Sequence, residues 1–295
     1  MTDQTNPTIA LVILTLNASS YILPLFNSIA QQTRQPDRIL VIDSSSSDNT
    51  IALLRAYPTA QTHIISQQAF DHGGTRQLAT ELIDADIYIF MTQDALPATP
   101  TTFENIIQAL LSSSHIGCAY GKQLPHAGAN PLGKHLRLFN YPERSQLKSM
   151  ADKAQYGIKT CFNSDSFAAY KKSALQAIGG FPRHSIFGED VYVAAKMLLH
   201  GLQIHYAATA TVLHSHNFTL KQEFQRYIAI GTFHRQERWI VEEFTTATDE
   251  GLKFIFSEVR YLIRTGKIHW LPRAFASWIV KFIGYKLGFY RNVRV

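Results

Sequence analysis

Apolar and polar positions fall into alternating blocks along the first third of the chain. Ile9–Leu16 is an apolar run of the kind that forms a parallel strand buried on both faces. Asn17–Ser20 supplies turn and cap residues, and Tyr21–Gln31 reads as a helix. Arg38–Ile42 is a second buried strand that ends at Asp43; a polar loop through Thr50 leads into a helix reaching about Ala56. His63–Ser66 reads as a short third strand, and Gly73-Gly74 opens a helix through about Ile83. Ile87–Met91 is the fourth strand, ended abruptly by polar residues and Pro97. This strand–helix alternation predicts a doubly wound, mostly parallel α/β sheet. Right-handed crossovers then carry Asn17, Asp43 and Asp94 to one place, the carboxyl edge of the sheet, where open α/β sheets bind ligands.

The middle of the chain, 95–185, is cut into short pieces by prolines. Within and after it, Thr101–Ser113 reads as a helix, Gly117–Tyr120 and Phe167–Tyr170 as strands, and Asp190–His200 as a helix stopped by Gly201. Gln203–Ala207 and Ala210–His214 read as two final strands. After about Arg238 the pattern changes, and aromatic, aliphatic and basic residues interleave from Lys253 to Tyr290. Phe275, Trp278, Ile279 and Phe282 fall on one helical face. The boundaries expected are thus a main domain over 1–238 and a helical region over 239–295.

Composition sharpens this division. The chain has 295 residues, 46% hydrophobic and 17% charged, enough for a full globular core. Its net charge of +6 is uneven: the last 45 residues hold nine Lys/Arg against Glu258 alone, leaving the remainder slightly acidic. A basic amphipathic tail with Trp and Phe suits an anionic membrane surface; the alternative is a helix packed on the main domain with its charges in water. The aliphatic content makes nucleic acid the poorer partner. Cys118 and Cys161 give neither a disulfide framework nor a metal knuckle. Met1–Thr8 lacks a signal-peptide layout and no apolar run is long enough to span a bilayer, so a cytoplasmic protein is expected.

Four clusters carry candidate chemistry. Asp94 ends the fourth strand, and Asp43 ends the second; each is a possible ligand group, and each is also an ordinary turn or cap residue. In Asp71-His72-Gly73-Gly74-Thr75-Arg76, paired glycines permit close backbone approach and Arg76 has the reach to meet a phosphate. Glu189-Asp190 opens a helix, where the dipole favours acids and where one of them can serve as a general base. His214 and His216 share one side of a strand end and offer metal ligands.

Taken in order, Thr15-Leu16-Asn17, Asp43, Thr92-Gln93-Asp94-Ala95, Glu189-Asp190 and the late histidines resemble family 2 inverting glycosyltransferases of the GT-A fold. Asp71–Arg76, Thr92–Pro97, Gly121–Pro125, Phe139–Pro142 and His214–Phe218 are similar to the bacterial rhamnosyltransferase branch. The resemblance covers about 8–235. It implies a GT-A type nucleotide-sugar-binding fold with a mostly parallel central sheet, plus the basic helical appendage. It implies a metal-dependent inverting transfer of a sugar, rhamnose from dTDP-rhamnose, to a hydroxyl of a lipid-linked surface-glycan precursor. Thr15, Asn17, Asp43, Arg76 and Gln93 would bind the donor, and Asp94 with His214 or His216 would hold Mg or Mn. Asp190, with Glu189 beside it, would be the base. Thr92 stands where the family's Asp-any-Asp motif has its first acid, and Gln77 where the branch often has Asn. The alternatives are another donor such as a UDP-hexose, or an inactive glycan-binding module. The expected location is the inner face of the cell membrane, reached peripherally through the tail.

Overall fold

The computed structural model describes residues 6–185, 187–244 and 250–291. Arg294 of the basic tail and the first five residues lie outside them. The strands are β1 Ile9–Thr15, β2 Arg38–Asp43, β3 Ala60–Ile64, β4 Ile87–Thr92, β5 Leu96–Pro97, β6 Ile116–Leu124, β7 Gln146–Lys148, β8 Phe167–Lys171 and β9 Gln203–Leu213. The helices are α1 Ser19–Ala30, α2 Thr50–Leu54, α3 His72–Leu82, α4 Thr102–Leu111, α5 Pro131–Asn140, α6 Lys153–Tyr156, α7 Lys172–Ala177, α8 Glu189–Leu199, α9 Leu220–Gln236, α10 Arg238–Phe244, α11 Glu250–Arg264 and α12 Leu271–Tyr290.

The nine strands among the described residues form one sheet in the order β3-β2-β1-β4-β8-β6-β9-β5, with β7 also on β9. β1 is buried along its whole length because both faces are covered, as its apolar run requires. Successive residues serve opposite faces. Ala10, Val12 and Leu14 join one core with Tyr88, Phe90 and Tyr170, whereas Ile9, Leu11 and Ile13 join the other with Phe103, Ile106 and Leu110 of α4. The first four strands in space are parallel. β8 is antiparallel to both β4 and β6, and β5 and β7 run antiparallel to β9. The reversal at β8 was hidden in the sequence, because apolar periodicity reports burial and not direction. The two strands expected at the end of the sheet are one, β9, whose pairing with β6 slips between Gly121 and Lys122. Such a bulge lets a single strand turn without breaking.

The helical region does not begin at a gap in the packing. Ile240 and Phe244 of α10 are buried in the main core with Phe233 of α9. Farther on, α12 buries the small residues Ala274, Ser277, Gly284 and Gly288. This leaves Phe275, Ile279, Phe282 and Ile283 facing outward, while Trp278 turns in to donate to Glu258 (2.7 Å).

Candidate active site

The short pairing of β5 with β9 builds the first half of the site. Leu96 lies opposite Leu213, so the residue two before it and the residue just after its partner meet: Asp94 and His214. The Nε2 of His214 is 3.4 Å from Oδ1 of Asp94, and the Nε2 of His216 is 3.7 Å from Oδ2. One ligand atom from each of the three residues lies within 4.8 Å of the others.

The proton on His214 can be placed. Its Nδ1 is 2.9 Å from Oε1 of Gln123, and the same oxygen accepts from Arg137 at 2.5 Å. Arg137 only donates, so the oxygen faces both groups and His214 must present Nδ1–H. Burial lowers the His214 pKa, although Asp94 opposes this, and burial with the nearby His214 brings His216 down to about 4. Both rings are therefore neutral near pH 7. A neutral ring then aims a lone pair at a carboxylate across 3.4 Å. Two acceptors held so close need a positive charge between them, and this donor set fits a divalent metal. Gln123 orients the ring as carboxamide and carboxylate partners orient metal-binding histidines.

The second half of the site is an acid cluster at the start of α8. Arg76 is 2% exposed; its Nε is 2.9 Å from Oδ2 of Asp165 and its Nη1 is 3.0 Å from Oε1 of Glu189. Asp190 accepts from the amides of Val191 (2.8 Å) and Asp165 (3.4 Å) and has no cation in direct contact among the described residues. Burial, then the charge of Glu189, raises the Asp190 pKa to about 7. Burial likewise raises those of Asp165 and Glu189 against the pull of Arg76. The amide of Gln123 donates to Ser164 (2.9 Å), which adjoins Asp165, so one hydrogen-bonded path joins the trio to the acid cluster.

The expected donor residues surround this edge in a different way from the one their sequence positions suggested. Asp43 is fully buried, and its oxygens accept from Thr15 (2.7 Å) and from the amide and hydroxyl of Ser46 (2.7 and 2.6 Å). Asn17, at φ 51°, accepts from the amide of Ser47 (2.9 Å). Gln93 clamps both backbone polar groups of Leu16, at 2.8 and 3.2 Å. These four side chains organise the loop bordering the edge, and Asp43 is held within it by Thr15 and Ser46. Arg76, buried, has its Nε and Nη1 taken up by the two carboxylates. Glu189 is tied to Arg76, which leaves Asp190 as the free acid of the pair.

Asp165, Gln123 and Arg226 were not foreseen as site residues. Asp165 lies in Asn-Ser-Asp-Ser, which reads as a turn. Arg226 on α9 is exposed, sits 4.9 Å from the Phe187 ring and 5.8 Å from that of Phe218, and has no ion-pair partner among the described residues. Phe218 stacks in turn on His216 at 4.9 Å.

A parallel half-sheet joined through a reversed strand to a mixed half, with an Asp–His–His trio and a half-buried acid at its edge, is an arrangement of the GT-A kind. Residues 10–179 match the family described as Glycosyl transferase family 2, and the chain belongs to that family. It is 44% identical over 281 residues to the O-antigen chain rhamnosyltransferase RfbN of Salmonella typhimurium, covering 95% of this chain and 89% of the relative. It is 42% identical to the O-antigen chain rhamnosyltransferase WbaN of Salmonella anatum, covering 96% and 89%. Among solved structures it is similar in fold to the mannosyltransferase PcManGT from Pyrobaculum calidifontis, crystallised with GDP-Man and Mn2+ (TM-score 0.68, 15% identity, covering 97% and 88%). It is also similar to S. aureus TarS with UDP-GlcNAc (TM-score 0.56, 13% identity, covering 96% and 90%).

Proposed function

We propose that the protein is an inverting rhamnosyltransferase that moves rhamnose from dTDP-rhamnose to a hydroxyl of a lipid-linked O-antigen precursor. The observation that carries the chemistry is the pairing of a metal-competent trio, Asp94–His214–His216, with an acid, Asp190, that is free of any direct cation. The rhamnosyl assignment is supported by the two relatives, each matched over nearly the whole chain.

Asp94, His214 and His216 would hold Mg2+ or Mn2+. When bound, this ion would neutralise the growing charge of the departing nucleoside diphosphate. Two imidazoles beside one carboxylate favour Mn2+ over the harder Mg2+. Arg226, unpaired and held against Phe187 and Phe218, takes the place left by Arg76 as the second positive group toward the diphosphate. Asp190 accepts the proton of the acceptor hydroxyl while its oxygen bonds to the anomeric carbon; the carbon–phosphate oxygen bond breaks and its electron pair leaves with the nucleoside diphosphate. One displacement inverts that carbon.

The acceptor's carrier would be met by the C-terminal helices. Phe256, Phe275 and Phe282 are 71%, 59% and 65% exposed, and Lys253, Arg260, Arg264, Lys267 and Lys286 are exposed among them. No described helix is long and apolar enough to cross a membrane. This mixture suits a peripheral seat on anionic lipid. A small cleft of about 20 Å³ beside His216 is lined also by Phe218, Phe254, Arg273 and Lys281.

A transfer assay with dTDP-rhamnose, UDP-glucose and UDP-galactose on lipid-linked acceptors tests the reading. Rhamnose transfer with inversion, seen by NMR of the product, is expected; turnover of a UDP-hexose alone would overturn it.

A further inference from the structure

The segment Asp71–Arg76 has a structural purpose that the donor does not explain. Asp71 caps α3, its Oδ1 accepting from the amides of Gly74 (2.6 Å) and Ser185 (3.1 Å). The amide of Gly73 donates to the Ser185 carbonyl (3.1 Å), and a Cβ at Gly73 would come within 2.0 Å of the Pro182 carbonyl oxygen. Glycine is thus needed there because the approaching backbone belongs to this chain, not to a ligand. The start of α3 is pressed against the segment that leads into α8. One turn later Arg76 inserts between Asp165 and Glu189, the two residues on either side of Asp190 in the fold. Asp165 is held further by Tyr170, whose hydroxyl donates to it and accepts from Asn163 at 2.6 Å.

We propose that Asp71–Arg76 is a device for holding the base: Arg76 and Asp165 are positioning residues that fix Asp190 and set the charge around it. This rests on the reading of Asp190 as the base. Arg76 spends its donors on the neighbours of Asp190, so both oxygens of Asp190 remain acceptors supported only by backbone amides. The titratable groups whose fields reach Asp190 are Glu189 on its own helix, Arg76 on α3, Asp165 and Tyr170 at β8, and Tyr141 and Cys161 on the remaining wall. Glu189 and Asp165 oppose its ionisation and Arg76 favours it; with three carboxylates against one guanidinium, the cluster retains a proton near neutrality.

The test combines the pH profile of kcat/KM with titration of dTDP in the presence of Mn2+, on the full chain. Removing the cation in Arg76→Gln should move the acidic limb up by about one pH unit or more, and removing an anion in Asp165→Asn should move it down. Shifts in opposite directions are not produced by general loosening. The Kd for dTDP should stay within about threefold of wild type in both. Arg76→Lys, which keeps the charge, should restore the wild-type limb at lower kcat, and it stands with Asp165→Asn if Arg76→Gln does not fold. Limbs that stay in place, or a loss of dTDP affinity in Arg76→Gln, would overturn the proposal, the latter by returning Arg76 to the diphosphate. Asp190→Asn separates the two readings: transfer surviving there removes Asp190 as the base, whereas its loss beside unmoved limbs removes only the positioning role.

Discussion

Gln123 holds His214 by one hydrogen bond, Nδ1 to Oε1 at 2.9 Å, and thereby decides which nitrogen faces Asp94. Arg137 pins the same oxygen from the other side. The orientation of the ring is thus set by residues outside the trio.

Gln123→Leu should leave His214 in place by size but free its tautomer. Partners of this kind are worth about 10–100-fold in metal affinity. Calorimetric titration of Mn2+ should show a loss in that range with folding intact; an unchanged Kd would detach Gln123 from the metal site.

The pH dependence of transfer follows from Asp190. Its pKa is raised to about 7 by burial and by Glu189, and the base must be ionised to accept a proton. kcat/KM should therefore fall about tenfold per pH unit below 7 and level off above it. A profile flat from pH 5 to 8 would exclude a base of this kind.

The same shift predicts a stability cost. A carboxyl whose folded pKa lies above its unfolded value binds more protons folded than unfolded, so stability falls as pH rises from about 4 through about 7. Asp190→Asn removes that titration and should be more stable than wild type at pH 8, by about 1 kcal/mol or more. Thermal melts at pH 5 and pH 8 check it, and the gain should appear chiefly at pH 8.

Phe256, Phe275 and Phe282 turn outward from α11 and α12, so replacing all three with Ser should leave the melting temperature nearly unchanged. Vesicle binding should fall sharply, because each aromatic lost removes roughly 2 kcal/mol of apolar burial in lipid. Sedimentation with anionic vesicles reads this directly. Undiminished binding would leave the outward stripe without a lipid role.

Much of this was readable from the chain. Strands β1, β2 and β4 and the position of Asp94 followed from apolar runs and their sharp ends, whereas β3, mostly exposed at an edge, lies at Ala60–Ile64, ahead of the His63–Ser66 expected. Both late histidines were visible as a pair on one strand side, and the structure brings both to Asp94. Asp165, Gln123 and Arg226 were not visible as site residues, since each acquires its role from tertiary neighbours. Asp165 sits in a polar tetrad that any surface turn could carry, and its partners, Arg76 and Tyr170, reach it only through the fold. The ion pairs of Arg76 were hidden for the related reason that a helix-borne Arg after two glycines looks the same whether it meets a phosphate or a buried acid. The stripe of α12 was legible as a face, but which way it turned depended on small residues packing against α9.

The central claim is metal-dependent binding of a thymidine donor at the trio. Titrating dTDP and UDP into the wild-type protein and Asp94→Ala, with Mn2+ and with EDTA, tests it most directly. Wild type should bind dTDP more tightly than UDP with Mn2+ and lose most of that affinity in EDTA, and the metal effect should vanish once Asp94 is replaced. Preference for UDP, or a metal effect that persists in Asp94→Ala, would contradict it.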